Sequence, residues 1–550
     1  MESIAGLLES AGKSDATITF IDGGKASELT YNNLLAVAQE TADRLVSDLG
    51  PGRQCVIACD QNAAFVKQFW ACMIAGWQAV IVPFPSTSQT AALLGAVMAQ
   101  HPRPVVATSS AAAARALVAA GVGADDLSID DISFVLPRAD RSAAVASPTA
   151  PVVQYSSGST GMPKGVLLST ENVLHTVGVV NDRLAVTPDD CSYTWLPLTH
   201  VFSLFGFHVT AVALHANQTI QRTSDFLFDP LSWMDEVSQR RITVTGSPNF
   251  GYQHFLRAAA AARQGGQDRA WDLRRLRAVV NGAEDISVEL AARFEGALVP
   301  FGARRGLIMP AYGMSEATVA VTTAAPGAPI IHQRFGRSSL SIGDRAVLAD
   351  ERGAGTVEIA SVGTPLDGLS VRLTDGDGTV ADGTVGQIEI CGPQVSPGYH
   401  ADASHSSLTP DGWLQTGDVG VRLDGELYIL GRVKDMLVVN GVNYWPDDLE
   451  NVLVTALPAL RGRVAVVAGP NEEEQTEEVV VCVEQGETDP DDLPGEPAIR
   501  SAIAAAAGLR VGRVVRVPEL PRTQSGKVRR FLVRQSLLPQ EPQPASGGDE

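Results

Sequence analysis

The chain has 550 residues, 45% of them hydrophobic and 19% charged, the profile of a globular protein long enough for more than one domain. Its formal net charge of −20 argues against nucleic acid or an anionic membrane as partner. Six cysteines without a Cys-x-x-Cys pair, no signal-like start and no apolar run of about 18 residues point to buried thiols, no membrane span and a cytoplasmic setting.

In chain order, Thr17 to Ile21 predicts a strand and the segment from Tyr31 a helix with apolar residues at helical spacing. Val56 to Cys59 predicts a second strand, Phe65 to Ala75 a helix, and Ala79 to Pro83 a third strand. This alternation predicts an α/β fold of mostly parallel sheets with helices on both faces. From about residue 365 to 431 the pattern changes to alternating segments, Leu369 to Thr374 and Gly386 to Cys391, which predict a β-rich subdomain. The Asp375-Gly-Asp-Gly run between them lacks the glycine and terminal glutamate of a calcium loop and reads as a turn. We place a boundary after Gly431, giving a large N-terminal domain over 1–431 and a small α+β domain over 432–538. In the latter, Asp447 to Leu453 predicts a helix, and Arg463 to Ala468 and Val479 to Val483 predict strands. Residues 539–550 read as a disordered tail, and too few residues follow Lys527 for a fused carrier domain.

The segment Tyr155 to Gly165 combines hydroxyls, glycines and a lysine. Glycine lets a backbone approach a bulky anion, successive N–H groups form an anion-binding concavity, and Lys164 adds a mobile charge. The common P-loop spacing fails, because Gly158 is followed five positions later by Pro163 rather than glycine. A flexible Ser/Gly linker is the plain alternative.

Seven further segments follow: Trp195-Leu-Pro-Leu-Thr-His200, Asn281-Gly-Ala-Glu284, Tyr312-Gly-Met-Ser-Glu316, Gln415-Thr-Gly-Asp418, Gly431-Arg-Val-Lys-Asp435, Asn443-Tyr-Trp-Pro446 and Pro521-Arg-Thr-Gln-Ser-Gly-Lys527. In this order they resemble the adenylate-forming enzymes, the superfamily of acyl-CoA synthetases, luciferases and nonribosomal adenylation domains. The resemblance covers nearly the whole chain. It implies a small C-terminal domain that moves, and a two-step reaction. ATP and an acid form an acyl-adenylate and pyrophosphate, and a nucleophile then takes the acyl group.

The resemblance also implies roles. Ser156, Ser157, Gly158, Ser159, Thr160, Gly161 and Lys164 would hold the β- and γ-phosphates. Gly282, Ala283 and Glu284 would pass beside the adenine, and Tyr312, Gly313 and Ser315 would contact adenine and α-phosphate. Glu316 would help hold Mg²⁺, a hard cation that prefers oxygen. Asp418 would take the ribose hydroxyls with Arg432 beside the same sugar. Lys527 would neutralise charge at the α-phosphate, Lys434 would be the hinge, and His200 would gate the acid pocket. Plain readings stand beside these: a satisfied core histidine for His200, a helix-start glutamate for Glu316, an ordinary turn around Asp418.

Within the superfamily, Gly246-Ser-Pro-Asn-Phe250, Asn281 to Glu284 and Asn443 to Glu450 resemble fatty acyl-AMP ligases. So does the long, weakly periodic stretch between Glu316 and Gly363, where that branch carries an insertion thought to restrain the small domain and disfavour CoA. The implied substrate is a small-molecule fatty or aryl acid, and the implied acceptor an acyl carrier protein rather than CoA. One residue departs from that branch: Val201 follows His200 where an acidic residue is usual, which looks more like CoA ligases. An acyl- or aryl-CoA ligase, an enzyme adenylating an unusual oxyacid such as nitrite, and a non-catalytic nucleotide-binding protein are the alternatives.

Overall fold

A computed structural model describes residues 3–101, 104–109, 114–115, 117, 125–129, 132–136, 150–156, 163–267, 269–351, 353, 355–400, 407–439, 442–471, 476–486, 492–522 and 528–537. It is a mixed α/β protein, with a large sheet-rich N-terminal part and a further β-containing C-terminal part.

One nine-stranded sheet runs, in spatial order, through Thr364–Pro365, Thr322–Thr323, Ile308–Tyr312, Ala278–Asn281, Val244–Gly246, Cys191–Thr194, Asn217–Gln221, Thr17–Asp22 and Lys25–Thr30. Its six central strands are parallel and both edges antiparallel. The loops carrying His200, Glu284 and Glu316 leave the carboxyl ends of Cys191–Thr194, Ala278–Asn281 and Ile308–Tyr312. That edge is where open α/β sheets bind ligands.

A seven-stranded sheet runs through Asp125–Ile129, Ile132–Leu136, Val105–Thr108, Gln54–Ile57, Gln78–Ile81, Val152–Ser156 and Lys164–Leu168. Its last two strands form an antiparallel pair in which Ser156 faces Lys164, so the two ends of the glycine–serine loop lie side by side. The helix Tyr31–Leu49 packs on this framework. Thr30 caps it through the Asn33 N–H, and Tyr31, Leu34, Ala38, Leu45 and Leu49 recur at helical spacing and are buried.

The segment 370–432 is a four-stranded antiparallel sheet of Ser370–Thr374, Gly386–Cys391, Leu414–Leu423 and Glu426–Arg432, matching the β-rich reading. The Asp375 carboxylate accepts the N–H groups of Asp377 and Gly378, a turn rather than a cation loop. Beyond it, Val464–Asn471, Thr476–Glu484 and Arg513–Val517 form a three-stranded sheet. Leu449, Leu453, Val466, Val481, Ile499 and Ile503 fill a core of its own with the helices Pro446–Ala456 and Glu496–Ala507.

Three elements go beyond the sequence reading. Lys25–Thr30 is an exposed edge strand whose polar residues hide its period. Arg513–Val517 adds the third strand of the small sheet. Residues 332–336 and 356–360 pair as a hairpin inside the stretch read as weakly periodic. Of the six cysteines, all are free thiols, four buried and two half-buried. No helix among the described residues is long and apolar enough to cross a membrane.

Candidate functional site

The strand Ile308–Tyr312 delivers Tyr312 to the sheet edge, and the chain then turns sharply. Ser315–Ala317 is a single 3₁₀ turn, and Thr318 follows at φ +64°, ψ −52°. The Val319 N–H donates to the Ala317 carbonyl at 2.7 Å across it, a γ-turn of the strained hand. The buried Thr318 hydroxyl donates to the Gln394 carbonyl at 2.9 Å and holds the turn. Gly313 is required here, because a Cβ would stand 1.9 Å from the Val319 carbonyl oxygen. Ala283 is also held at φ +69°, a conformation concentrated at binding sites.

Tyr312 donates to Asp418 Oδ2 at 2.6 Å, and Arg432 Nε pairs with Oδ1 at 2.9 Å. Asp418 and Arg432 face each other across adjacent strands, and Asp418 is 4% exposed. The carboxylate beside it holds the Arg432 guanidinium above its ordinary pKa. Thr416 Oγ accepts the Asp418 N–H at 3.0 Å and fixes the turn that presents the carboxylate.

Glu316 accepts a hydrogen bond from the Tyr399 hydroxyl at 2.8 Å. The Lys164 ammonium lies 4.9 Å over the Tyr399 ring. Burial and the Glu316 carboxylate raise the Tyr399 pKa, so the hydroxyl stays a donor. Lys434 lies near Lys164 and Arg432, and burial and these two charges lower its pKa. Three cations close to one another form a site that favours polyanions.

Lys164, His200, Gly282, Ala283, Tyr312, Gly313, Ser315, Glu316, Arg432 and Lys434 all line one cavity of about 610 Å³. Glu284 and Asp418 line a smaller neighbour of about 140 Å³, which shares Ala283, Tyr312 and Arg432 with it. Glu284 also accepts the Phe250 N–H at 3.2 Å. The Ser156 backbone ends its strand beside Lys164. Ser157, Gly158, Ser159, Thr160, Gly161 and Lys527 lie outside the described residues.

His200 caps the short helix Val201–Ser203, its Nδ1 accepting the Phe202 N–H at 3.2 Å. The neutral ring then carries its proton on Nε2, which has no partner among the described residues. Burial lowers its pKa to about 4. A π-helix over Leu204–Val209 follows, and its Gly206 and Phe207 line the cavity. Such widened turns recur at functional sites. His200 is therefore a cavity residue rather than a core one.

Known proteins share this architecture. The family model described as AMP-binding enzyme matches residues 8–400. The chain belongs to the AMP-binding enzyme family. It is 30% identical over 571 aligned positions to the 4-hydroxyphenylalkanoate adenylyltransferase of Mycobacterium tuberculosis, covering 96% of this chain and 90% of the relative. It is 27% identical to the medium-chain-fatty-acid–[acyl-carrier-protein] ligase JamA of Moorena producens, covering 94% and 92%. A structure from studies of fatty acyl-adenylate ligases of E. coli and L. pneumophila superposes with a TM-score of 0.84 at 26% identity, covering 98% of both chains.

In this AMP-binding enzyme the cavity is also lined by residues that motif reading did not single out. Tyr399 lies beyond the motifs yet bridges Lys164 and Glu316. Val180, Arg183 and Leu184 come from the end of the helix Thr170–Leu184 and line the cavity. Their spacing, one helix face, was the signal available in the sequence.

Proposed function

We propose that this adenylate-forming enzyme activates a fatty or aryl carboxylic acid with ATP, releases pyrophosphate, and passes the acyl group to the thiol of a carrier protein. The observation that carries the reading is one cavity with two characters. Its lining holds a cluster of cations, Lys164, Arg432 and Lys434, together with the apolar side chains Val180, Leu184, Phe202, Phe207 and Val319. A charged nucleotide and an acid with an apolar body fit such a pair of environments.

Asp418, fixed by Tyr312 and Arg432, would accept both ribose hydroxyls of ATP. Gly282 and Ala283 would let the adenine approach the backbone, and Ser315 would reach the α-phosphate. Ser156 through Gly161 would cradle the outer phosphates with Lys164. Glu316 is an oxygen donor suited to Mg²⁺, and no group of three His, Cys, Asp or Glu among the described residues could hold a metal alone. That fits a cation bound through one carboxylate and the phosphates. Mg²⁺ would supply charge neutralisation of the polyphosphate. His200 would offer its Nε2–H toward the acid, and Lys527 would neutralise charge at the α-phosphate. Residues 432–538 would form a mobile domain turning about Lys434, with the boundary near Gly431.

The carrier-protein acceptor draws support from the JamA relative's name and from a tie in the stretch between Glu316 and Gly363. Arg337 forms a forked ion pair with Asp448, and its Nη1 donates to the Ala506 carbonyl at 2.7 Å. Such a tie would restrain the movement a CoA ligase needs. Val201 beside His200 favours a CoA ligase as the second reading. Nitrite would leave the apolar walls unfilled.

Pyrophosphate release with ATP and Mg²⁺ tests the reading, across fatty and aryl acids and nitrite, each with and without CoA or a loaded carrier protein. Release with organic acids, and acyl transfer to the carrier but not to CoA, is expected. A CoA thioester as main product would establish the second reading. ATP binding without pyrophosphate release would overturn both.

A further inference from the structure

A cation lines the cavity among the apolar side chains that would receive the acid on the reading above. Arg183 occupies the last turn of the helix Thr170–Leu184, and it lines the cavity with Val180 and Leu184. The three are spaced i, i+3 and i+4, one face of the helix. Its Nη1 donates to the carbonyls of Thr323 at 2.7 Å and Thr364 at 3.3 Å and to the Thr364 hydroxyl at 3.2 Å; its Nη2 donates to the Pro365 carbonyl at 2.7 Å. These contacts fix the guanidinium against the antiparallel edge of the large sheet.

Two features separate this from a purely structural clamp. Every acceptor is neutral, and no carboxylate among the described residues forms an ion pair with Arg183. The Nε–H, moreover, has no partner among the described residues and is not sealed by protein atoms. A pre-positioned guanidinium with a spare donor and no paired carboxylate therefore lines a cavity beside the apolar side chains Val180 and Leu184 of its own helix face. A methyl-ended chain set against it would strip water from a charge and return no hydrogen bond. An oxygen acceptor there would gain a charge-assisted one.

We propose that Arg183 forms a tail subsite, and that the acid this enzyme activates carries an oxygen acceptor remote from its reacting carboxyl: a second carboxylate, a keto group or a hydroxyl. The inference rests on the acid-activating reading above and names its substrate class. Arg183 is a specificity-determining residue in this account. It takes no part in bond making, because the reacting carboxyl is expected beside the cluster of Lys164, Arg432 and Lys434, with His200.

Matched acids test it by pyrophosphate release: octanoic against suberic and ω-hydroxyoctanoic acid, hexanoic against adipic acid, and phenylpropanoic acid against its para-hydroxy form. The wild-type protein is expected to favour the oxygenated member of at least one pair by about tenfold or more in kcat/KM, the discrimination typical of one charged hydrogen bond. Arg183→Met is expected to abolish or invert that ratio, and Arg183→Lys to retain part of it. A wild-type preference for the plain alkyl or aryl member of every pair overturns the subsite, whatever the variants do. So does an equal loss for all acids in Arg183→Met, which would place the guanidinium at the reacting carboxyl. The wild-type ratios decide the question even if a variant does not fold. Absence of release with every acid would overturn the acid-activating reading instead, so the two failures are distinct.

Discussion

Arg337 grips Asp448 with two parallel hydrogen bonds, Nε to Oδ2 at 2.5 Å and Nη2 to Oδ1 at 2.8 Å. Asp448 lies in the first turn of Pro446–Ala456, where a carboxylate also suits the helix N-terminus. The pair is nearly buried, with 9% and 12% of the side chains exposed, and it joins the hairpin of residues 332–360 to the C-terminal core. The Gly355 N–H strengthens the joint by donating to the Ala506 carbonyl at 2.9 Å.

Arg337→Ala should loosen that joint by about 3 kcal/mol, since it leaves Asp448 desolvated and unpaired. Asp448→Ala should do the same, and the double variant should cost less than the two singles together. Hydrogen exchange across residues 446–517 is the readout: faster exchange in the single variants is expected, with the strands of the large sheet unchanged. If the tie restrains acceptor choice, the same variants should also form a CoA thioester detectable by mass spectrometry.

Asp418 supports a second prediction. Asp418→Asn keeps the shape but removes the charge that Arg432 faces and one acceptor of the Tyr312 hydroxyl. Binding of AMP, measured calorimetrically, should weaken about tenfold or more, the loss expected for one charged hydrogen bond. Tyr312→Phe removes only the donor and should cost less. Equal affinity in wild type and Asp418→Asn would remove Asp418 from the ribose role.

How far the sequence reached can be judged from these residues. Tyr312, Glu316 and Asp418 could be picked out as candidates because each sits in a local motif beside a turn, and the fold brings all three to neighbouring cavities. The β-rich region was legible from alternation, and 370–432 is indeed an antiparallel sheet. Tyr399 was not legible, since its partners Glu316 and Lys164 are distant in the chain and only the fold brings them together. The γ-turn at Thr318 was hidden too: a β-branched residue at positive φ contradicts local preference and is held by the Gln394 carbonyl. Arg183 and the Arg337–Asp448 tie belong to the same class, because each depends on where a sheet edge or a second core arrives.

Lys527 lies outside the described residues, and its role rests on the resemblance of Pro521 to Lys527. Lys527→Ala should cut pyrophosphate release by orders of magnitude while AMP binding and the melting temperature change little. A contact made only in the transition state lowers kcat rather than affinity. Near-normal release in this variant would refute the assignment.

The last prediction concerns pH. His208 lies in the π-helix, fully buried, with its Nε2 accepting from the Trp70 indole N–H at 2.9 Å and its Nδ1 bonded to Gln218 Oε1 at 2.9 Å. A second proton on Nε2 would confront the Trp70 donor in a site where the facing groups, Trp70, Gln218 and through it Tyr31, carry no charge. Burial accordingly lowers the His208 pKa from 6.5 to about 4. The sign follows directly. Between these values the unfolded chain takes up the proton and the folded chain does not, so stability is complete above about pH 6.5 and falls as pH drops toward 4. By pH 4.5 the loss should be about 2 kcal/mol from this residue. His200, lowered to about 4 by burial as well, adds loss in the same direction. Melting temperatures measured from pH 8 to 4.5 should therefore decline below pH 6.5. His208→Gln, which keeps an acceptor for Trp70 and a donor for Gln218 without a titrating ring, should flatten that decline. Parallel curves for the two proteins would show that His208 is protonated as readily in the fold as in the open chain.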